Sequence, residues 1–261
     1  MNGNEIRKIV LEQSWRAHVG HIGSNLSIAD LVAVLYGEVL RIAQPEDPER
    51  DRFILSKGHA ALALYAALFL RAWITPKDLN SFAEAQTRFG THPDRSVRGI
   101  DFATGSLGQG LPYAVGSALA ARMERSSRRV FALLSDAECN EGSTWEAVMF
   151  AAHHHLSNLY AVIDVNGQQA FGYTREVLSL SPLAERWRAF GWDAAVVDGH
   201  DAAAIRQAIE RTSANADQPH VLLAETVFGK GVSFMEKRLD WHYLPLSEEQ
   251  YRTAMADLER T

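Results

Sequence analysis

Residues 129–165 read RVFALLSDAECNEGSTWEAVMFAAHHHLSNLYAVIDV, and this stretch decides the fold. A strand-like apolar segment at 129–135 is followed by a helical pattern at 141–155 and by a second strand-like segment at 158–165. Two more apolar segments follow at 191–198 and 220–227. Continuous apolar strands that alternate with helices are typical of a parallel sheet buried on both faces. We therefore predict an α/β fold with a parallel central sheet and helices on both faces.

The N-terminal third is helical in pattern, with one short strand predicted at 52–56. Ser27 and Asp30 stand three residues apart, as in a capping box, so we predict a helix that opens at Ser27 and covers 27–42. Further helices are predicted after Thr75, Ser181 and Asp201 and from Ser247, which is spaced from Gln250 as another capping pair. No linker interrupts the chain, so we expect one domain over 1–261, with a helical N-terminal portion and an extended C-terminal tail.

The composition excludes several classes of protein. The net charge is −6 and the pI about 5.9, which argues against a nucleic-acid-binding surface or an anionic membrane as partner. Cys139 is the one cysteine, so no internal disulfide can form, and a reducing compartment fits. The N-terminus lacks an apolar signal core, and no run approaches the roughly 18 apolar residues of a membrane span. We expect a cytoplasmic protein.

Four carboxylates, Asp136, Glu138, Glu141 and Glu146, follow the strand at 129–135. Asp136 and Asn166 stand at the ends of two successive strands, and in parallel sheets ligands bind at the carboxyl ends of the strands. An Asp carboxylate and an Asn amide are hard oxygen donors that suit Mg²⁺ or Ca²⁺. The alternative is a helix cap at Asp136 and a turn at Asn166, with the acids placed at a solvated helix start. Spacing alone favours that alternative.

Glycines and histidines mark further loops. Gly105, Gly108 and Gly110 precede a small-residue helix, a pattern that admits phosphate oxygens but equally suits a tight turn. The isolated histidines each occupy a loop, and each alone is more often structural than catalytic; they are His21, His59, His92, His200 and His242. The triplet at 153–155 closes a helix, where cations suit the helix dipole. No zinc or serine-hydrolase motif is present.

Seven stretches in register resemble one family, the transketolases. They are GHIGSNLS (20–27), LSKGHA (55–60), GTHPD (90–94), ATGSLGQGLP (103–112), SDAECNEGSTWEA (135–147), DVNGQQAFG (164–172) and GKGVSFME (229–236). Each stretch is weak alone, but together they cover nearly the whole chain in order. The resemblance is to the N-terminal, thiamine pyrophosphate-binding subunit of split transketolases, and it implies the thiamine pyrophosphate-binding fold.

The resemblance also implies roles for particular residues. The metal, Mg²⁺ or Ca²⁺, would bridge the diphosphate of thiamine pyrophosphate, with three ligands: Asp136, Asn166 and the carbonyl of Gln168. The implied cofactor-binding residues are His59, Ser106, Leu107, Gly108, Asp136, Ala137, Glu138 and Asn166. Among them Glu138 matches no catalytic position and keeps its helix-start interpretation. The implied catalytic residues are His21 and His92 on the sugar hydroxyls, Glu141 and Glu146 at a subunit interface, and His242.

Two positions depart from the family pattern. Ser135 and Ala137 stand where the family has glycines beside the diphosphate. If Ala137 required a positive φ, the strain would be roughly 1 kcal/mol. Tyr243 stands where the split family usually has Gly after the histidine, which places a bulky group near the channel mouth. Both departures suggest an unusual substrate.

The resemblance implies an enzyme that is active only with a companion, the pyrimidine-side subunit, in a heterotetramer. The reaction would transfer a two-carbon ketol unit from a ketose or ketose phosphate to an aldehyde. A first alternative is a subunit of an acyloin carboligase, which uses the same cofactor but takes a 2-oxo acid as the donor. A second is a non-catalytic assembly subunit. Retention of His21 and His92 favours the ketol transfer.

Overall fold

The computed structural model describes residues 1–212 and 217–260. The predicted domain over 1–261 therefore includes residues 213–216 and 261, which lie outside the described part of the chain. The helices are α1 Gly3–Ala17, α2 Ile22–Ser27, α3 Ala29–Val34, α4 Ala61–Leu70, α5 Pro76–Asn80, α6 Gly110–Met123, α7 Gly142–His153, α8 Thr174–Val177, α9 Leu183–Ala189, α10 Ala202–Thr212 and α11 Glu248–Arg260. The strands are β1 Arg52–Leu55, β2 Val130–Ser135, β3 Leu159–Val165, β4 Gln168–Gln169, β5 Gly172–Tyr173, β6 Asp193–Asp198 and β7 His220–Glu225.

The central sheet has the strand order β1-β2-β3-β7-β6, and every neighbouring pair is parallel. Alternate residues of its strands enter two separate cores. Phe131 and Leu133 pack into one core, with residues of α1, α3, α4 and α10, whereas Val130 and Ala132 pack into the other, with residues of α6, α7 and α9. Because each face needs its own apolar cover, the strands are apolar throughout. The predicted α/β class, with helices on both faces of a parallel sheet, is confirmed.

Local capping signals were reliable at three helix starts. The Asp201 carboxylate accepts hydrogen bonds from the backbone N–H groups of the first turn of α10, at 2.9 and 3.0 Å. Ser247 and Gln250 form a reciprocal capping pair ahead of α11, and Thr75 caps α5. Each of these pairs lies within one helical turn, so it depends on local sequence alone.

The prediction of one helix over 27–42 was wrong. This region contains the end of α2, the helix α3 and a π-helical turn over Leu35–Val39. Ser27 does not cap, because its hydroxyl donates to the Ser24 carbonyl and to the Asp164 carboxylate. Asp30 is engaged by Arg7 and His200. Tertiary partners therefore replace the local capping interaction that the spacing indicated.

The loop predicted after β3 contains a small antiparallel hairpin, β4–β5, which the sequence pattern did not indicate. A short 3-10 turn, Leu239–His242, lies within the C-terminal tail before α11. Both segments reach the carboxyl edge of the sheet, where the candidate site lies. Among the described residues, no helix has the length and apolar character needed to span a membrane.

Candidate active site

A cavity of about 220 Å³ opens at the carboxyl edge of the central sheet. The register pairs Ser135 at the end of β2 with Asp164 near the end of β3, so the residues that follow these strands lie side by side. Eight of the predicted site residues line this cavity: His21, His59, His92, Leu107, Ala137, Asn166, Gln168 and His242. Asp136 does not line it and borders a neighbouring pocket with Val165 and Thr174. The fold thus brings together stretches that span residues 21 to 242 of the chain.

The Asp136 carboxylate and the loop after β3 are in direct contact. The Gly167 N–H donates to Oδ2 of Asp136 at 2.9 Å, and the Ala137 N–H donates to Oδ1 at 2.9 Å. Asn166 donates its Nδ2 to Asp164, at 2.7 Å, which leaves its Oδ1 as an acceptor toward the Gln168 N–H. Asp136 therefore contacts the loop that carries Asn166 and Gln168, the other two predicted metal ligands.

The chemistry of this group fits a hard divalent cation. Burial and the nearby Asp164 charge raise the pKa of Asp136 to about 7, because two carboxylates share a poorly solvated space. A bound cation would reverse that effect. Within residues 1–212 and 217–260, no three His, Cys, Asp or Glu side chains form a metal site. A metal here would therefore use amide and carbonyl oxygens together with oxygens of its ligand, which is how Mg²⁺ is usually held.

Asp164 is a buried residue of the site that the sequence analysis missed. It is fully buried and accepts a hydrogen bond from Lys57 Nζ at 2.5 Å. Ser27 Oγ donates to it at 2.8 Å, and the Thr226 hydroxyl also donates to it. The signal was an acid inside an apolar strand, since buried charges need partners. Lys57 itself is fully buried and lines the cavity, so a positive charge stands beside the metal ligands.

Three histidines form a ring cluster on the other wall of the cavity. The ring centroids of His21 and His242 are 5.1 Å apart, and each lies within 5.6 Å of the His59 ring. Burial, then neighbouring histidines and Lys57, lowers the pKa of each, and the pKa of His242 falls to about 4. The cluster is therefore neutral at pH 7, and each ring offers one N–H donor and one acceptor nitrogen.

Several polar atoms of the cavity wall are buried without a protein partner. They include Nδ1 of His21, Nδ1 of His242 and both amide heteroatoms of Gln168, whose side chain is 4% exposed. Unpaired buried polar groups are costly, so they mark positions where a ligand completes the hydrogen bonding. His59 differs, because its Nε2 contacts the Ser24 hydroxyl at 2.8 Å. His242 thus lies within the cluster, with His21 and His59.

His21 and His92 are held in place through their backbones. His21 has φ 58° and precedes α2, and its N–H donates to the His242 carbonyl at 3.2 Å. A non-glycine residue at positive φ is strained, which is a frequent feature of functional positions. His92 also lines the cavity, and the Tyr65 hydroxyl donates to its carbonyl at 2.9 Å. Burial lowers the pKa of His92 as well.

Glu138 holds the glycine loop before α6 in place by a hydrogen bond. Gly108 has φ 82°, and its N–H donates to Oε1 of Glu138 at 2.8 Å. Ser56 also donates to this carboxylate, and the Gly110 N–H donates to Ser56 at 3.0 Å. The predicted solvated helix start at Glu138 was wrong, because the residue is fully buried. Its carboxylate instead accepts hydrogen bonds from Ser56, which follows β1, and from the glycine loop.

The remaining predicted residues lie around the cavity. Leu107 lines it, whereas Ser106, on the same loop, is exposed. Glu141 and Glu146 are exposed at and beyond the start of α7, so their assignment to a subunit interface stays a prediction. Ala137 is not among the residues with positive φ, so the condition for backbone strain at this position is not met. It begins a 3-10 turn that any residue can adopt.

His200 stands apart from the cavity and has a structural environment. Its Nδ1 contacts Oδ2 of Asp30 at 2.7 Å, and its Nε2 accepts from the Val227 N–H at 2.9 Å. The second bond makes Nε2 the acceptor, so Nδ1 carries the proton that it shares with Asp30. Arg7 pairs with the same carboxylate. This network joins α1, α3 and the loops after β6 and β7, in keeping with the structural role expected from sequence.

Comparison with known proteins identifies the family of the chain. Residues 2–258 match the family described as transketolase, thiamine diphosphate binding domain. The chain belongs to this family. The resemblance predicted from the seven sequence stretches is confirmed, and so is the assignment to thiamine diphosphate-dependent transferases of the transketolase kind.

Two relatives of this transketolase-family chain have nearly its own length. A 6-deoxy-6-sulfo-D-fructose transketolase subunit from Clostridium sp. (strain MSTE9) is 42% identical over 260 residues, covering 98% of this chain and 94% of that protein. An apulose-4-phosphate transketolase subunit from Phocaeicola vulgatus is 37% identical over 254 residues, covering 97% of this chain and 90% of that protein. Both are named as subunits.

Solved transketolases are longer but share the fold. The transketolase from Leishmania mexicana superposes with a TM-score of 0.91 at 29% identity, covering 98% of this chain and 40% of that chain. The Campylobacter jejuni transketolase gives a TM-score of 0.91 at 29% identity, and this chain covers 42% of its length. The chain therefore corresponds to one part of these transketolases, whereas it corresponds to nearly the whole of the two subunits.

Proposed function

We propose that this chain is the diphosphate-binding subunit of a two-subunit transketolase-like enzyme. The enzyme transfers a two-carbon ketol unit from a ketose or ketose phosphate to an aldehyde. The observation that carries the proposal is the cavity, which is lined by a neutral histidine cluster and by Asn166 and Gln168 of the loop that contacts Asp136. Two relatives that match over 90% or more of their length are named as transketolase subunits for modified sugars.

The residues around Asp136 would hold thiamine diphosphate through a divalent cation, Mg²⁺ or Ca²⁺. Asp136, Asn166 and the Gln168 carbonyl would ligate the cation, and His59 and the Gly108 loop would lie against the diphosphate. When bound, thiamine diphosphate supplies a carbon nucleophile for the ketose carbonyl and an electron sink for cleavage of the adjacent carbon–carbon bond. Lys57, buried against Asp164, would add a fixed positive charge to the side of the site that holds the diphosphate.

The histidines then act on the sugar. His21, His92 and His242 all line the cavity, and the buried Nδ1 atoms of His21 and His242 have no protein partner. Because their pKa values are lowered, all three are neutral at pH 7 and can donate to one hydroxyl and accept from another. They orient the ketose and hold the proton of the hydroxyl that becomes a carbonyl. Phe228 and Leu107 line the same cavity and limit access of water.

A companion subunit would complete the site. The pyrimidine-side subunit would bring the carboxylate that activates the cofactor, and two copies of each chain would form a heterotetramer. Glu141 and Glu146, exposed on this chain, would then face the companion or a second copy. Cys139 is a buried free thiol, which fits the reducing cytoplasm as the location of the assembly.

Reconstitution tests this function. The purified chain alone should show no ketol transfer, and mixing it with the companion subunit, Mg²⁺ and thiamine diphosphate should produce it. Glu141→Gln should lower the turnover of the mixture more than its affinity for the cofactor. Robust transfer by this chain alone would contradict the two-subunit proposal. Turnover of pyruvate but not of ketoses would favour an acyloin carboligase, and cofactor binding without either activity would favour an assembly subunit.

A further inference from the structure

Three segments that are distant in sequence form the rim of the cavity. They are the turn before α2, the β4–β5 hairpin and the 3-10 turn that ends at His242. Tyr243 follows this 3-10 turn and is 56% exposed. Its ring lies beside that of His242, with centroids 5.0 Å apart, so it stands at the outer edge of the histidine wall.

The turn that carries His242 is held by contacts that do not involve the Tyr243 side chain, among them the bond from Trp241 Nε1 to the Phe234 carbonyl at 3.1 Å. The His21 N–H donates to the His242 carbonyl at 3.2 Å. Gly20 packs against the next carbonyl so closely that an added Cβ would lie 2.3 Å from the Tyr243 oxygen. The position of this turn therefore does not depend on the Tyr243 side chain.

That side chain ties down the tip of the hairpin. The Tyr243 hydroxyl donates to the Ala170 carbonyl at 2.6 Å, and Ala170 itself lines the cavity. The hairpin has two residues in each strand, and Phe171 at its tip is 85% exposed. Isolated two-stranded hairpins are marginal in water, so the placement of this tip depends on ties to the rest of the protein.

We propose that Tyr243 is a specificity-determining residue, whose bond to Ala170 bridges the cavity rim and restricts the length of ketose that the site accepts. This inference rests on the proposed ketol transfer. A ketose whose carbonyl lies near His21 and His242 extends its remaining hydroxylated carbons toward the rim. There the phenol ring and the hairpin tip are joined by their hydrogen bond into one closed side of the rim, and a longer carbon chain must pass beside it.

The kinetic test compares donors of different length in the reconstituted enzyme. Hydroxypyruvate has three carbons and D-fructose 6-phosphate has six. Tyr243→Phe removes one hydrogen bond and keeps the ring, so the kcat/KM ratio of the six-carbon to the three-carbon donor should rise about three- to tenfold. Tyr243→Gly also removes the ring and should raise the ratio further. An unchanged ratio in both variants would overturn the proposal.

Tyr251→Phe provides the matched control. Tyr251 lies on α11 and stacks on Trp15, with ring centroids 4.6 Å apart. The same chemical change there should leave the donor ratio unaltered. An equal change in the control would show that the effect is general and would count against the proposal.

Hydrogen–deuterium exchange on the isolated chain gives a second readout that needs no activity. The amides of residues 168–173 should exchange faster in Tyr243→Phe than in the wild type or in Tyr251→Phe, because the tip has lost its tie. Unaltered amide exchange in Tyr243→Phe would overturn the proposal that Tyr243 holds the hairpin tip. If the wild-type mixture shows no ketol transfer, the proposed function fails by itself, and exchange alone decides whether Tyr243 holds the hairpin.

Discussion

At the scale of the residue, Asp136 combines structural and chemical roles. Its carboxylate accepts hydrogen bonds from the N–H groups of Ala137 and Gly167, and it is 9% exposed. Asp136→Asn keeps an acceptor oxygen but removes the charge. We expect it to weaken Mg²⁺-dependent binding of thiamine diphosphate about 10- to 100-fold, the value of a charge-assisted interaction. Calorimetry with and without Mg²⁺ measures this.

Asp201→Asn is the matched control for Asp136→Asn. Asp201 also follows a strand and caps a helix, but its carboxylate accepts from the first turn of α10 and not from the loop after β3. Asn caps helices as well as Asp does, so affinity for the cofactor should be unchanged. Wild-type affinity in Asp136→Asn would contradict the metal assignment.

The Gln168 side chain lines the cavity, and we expect it to lower the stability of the isolated chain. Its amide is 4% exposed and has no protein partner at either heteroatom. Gln168→Leu should therefore raise the free energy of unfolding of the isolated chain by about 1–3 kcal/mol, the cost of an unpaired buried polar group. Denaturant unfolding measures the change. Gln207→Leu, on the exposed side of α10, should change it by less than about 0.5 kcal/mol. A destabilised Gln168→Leu variant would mean that the amide is already paired.

At the scale of the element, Glu138 links the 3-10 turn after β2 to β1 and to the start of α6. Its carboxylate accepts hydrogen bonds from the Gly108 N–H, at 2.8 Å, and from the Ser56 hydroxyl. Glu138→Ala leaves both donors buried and unpaired, so we expect a loss of about 2–5 kcal/mol in the free energy of unfolding. Weaker cofactor binding should accompany it, because the glycine loop loses its anchor.

Thermal and chemical unfolding of Glu138→Ala should be compared with Glu185→Ala. Glu185 is exposed on α9, where truncation should have an effect below about 0.5 kcal/mol. Equal stability of the two variants would show that Glu138 does not anchor the loop.

At the scale of the whole molecule, the buried histidines make the stability of the isolated, metal-free chain depend on pH. The pKa of His242 is lowered to about 4 by burial, His21 and Lys57, from an unfolded value of 6.5. Between these values the unfolded chain binds more protons, so stability is full above pH 6.5 and falls as the pH drops toward 4. Asp136, with a raised pKa, acts in the opposite direction.

His242→Gln isolates the histidine contribution. The wild type should lose more unfolding free energy between pH 7 and pH 5 than His242→Gln does, because the variant lacks the titrating ring. Urea unfolding at both pH values measures the difference. Parallel losses in the two proteins would mean that His242 titrates normally in the folded state.

The sequence by itself determined the class of fold and the starts of three helices. Apolar runs such as 130–135 and 159–165 can be buried only in a sheet covered on both faces, and this requirement is local to each run. The caps at Asp201 and Ser247 are equally local. The resemblance also marked, in advance, eight residues that line the cavity.

Only the tertiary structure decided which charged residues are buried and what they contact. Glu138 looked like a solvated helix start, and Ser27 looked like a cap, yet both bond residues more than 50 positions away. The pairing of Lys57 with Asp164 and the bond from Tyr243 to Ala170 are likewise invisible to periodicity. The physical reason is that burial of a polar group depends on partners from other elements, and those partners meet only when the chain folds.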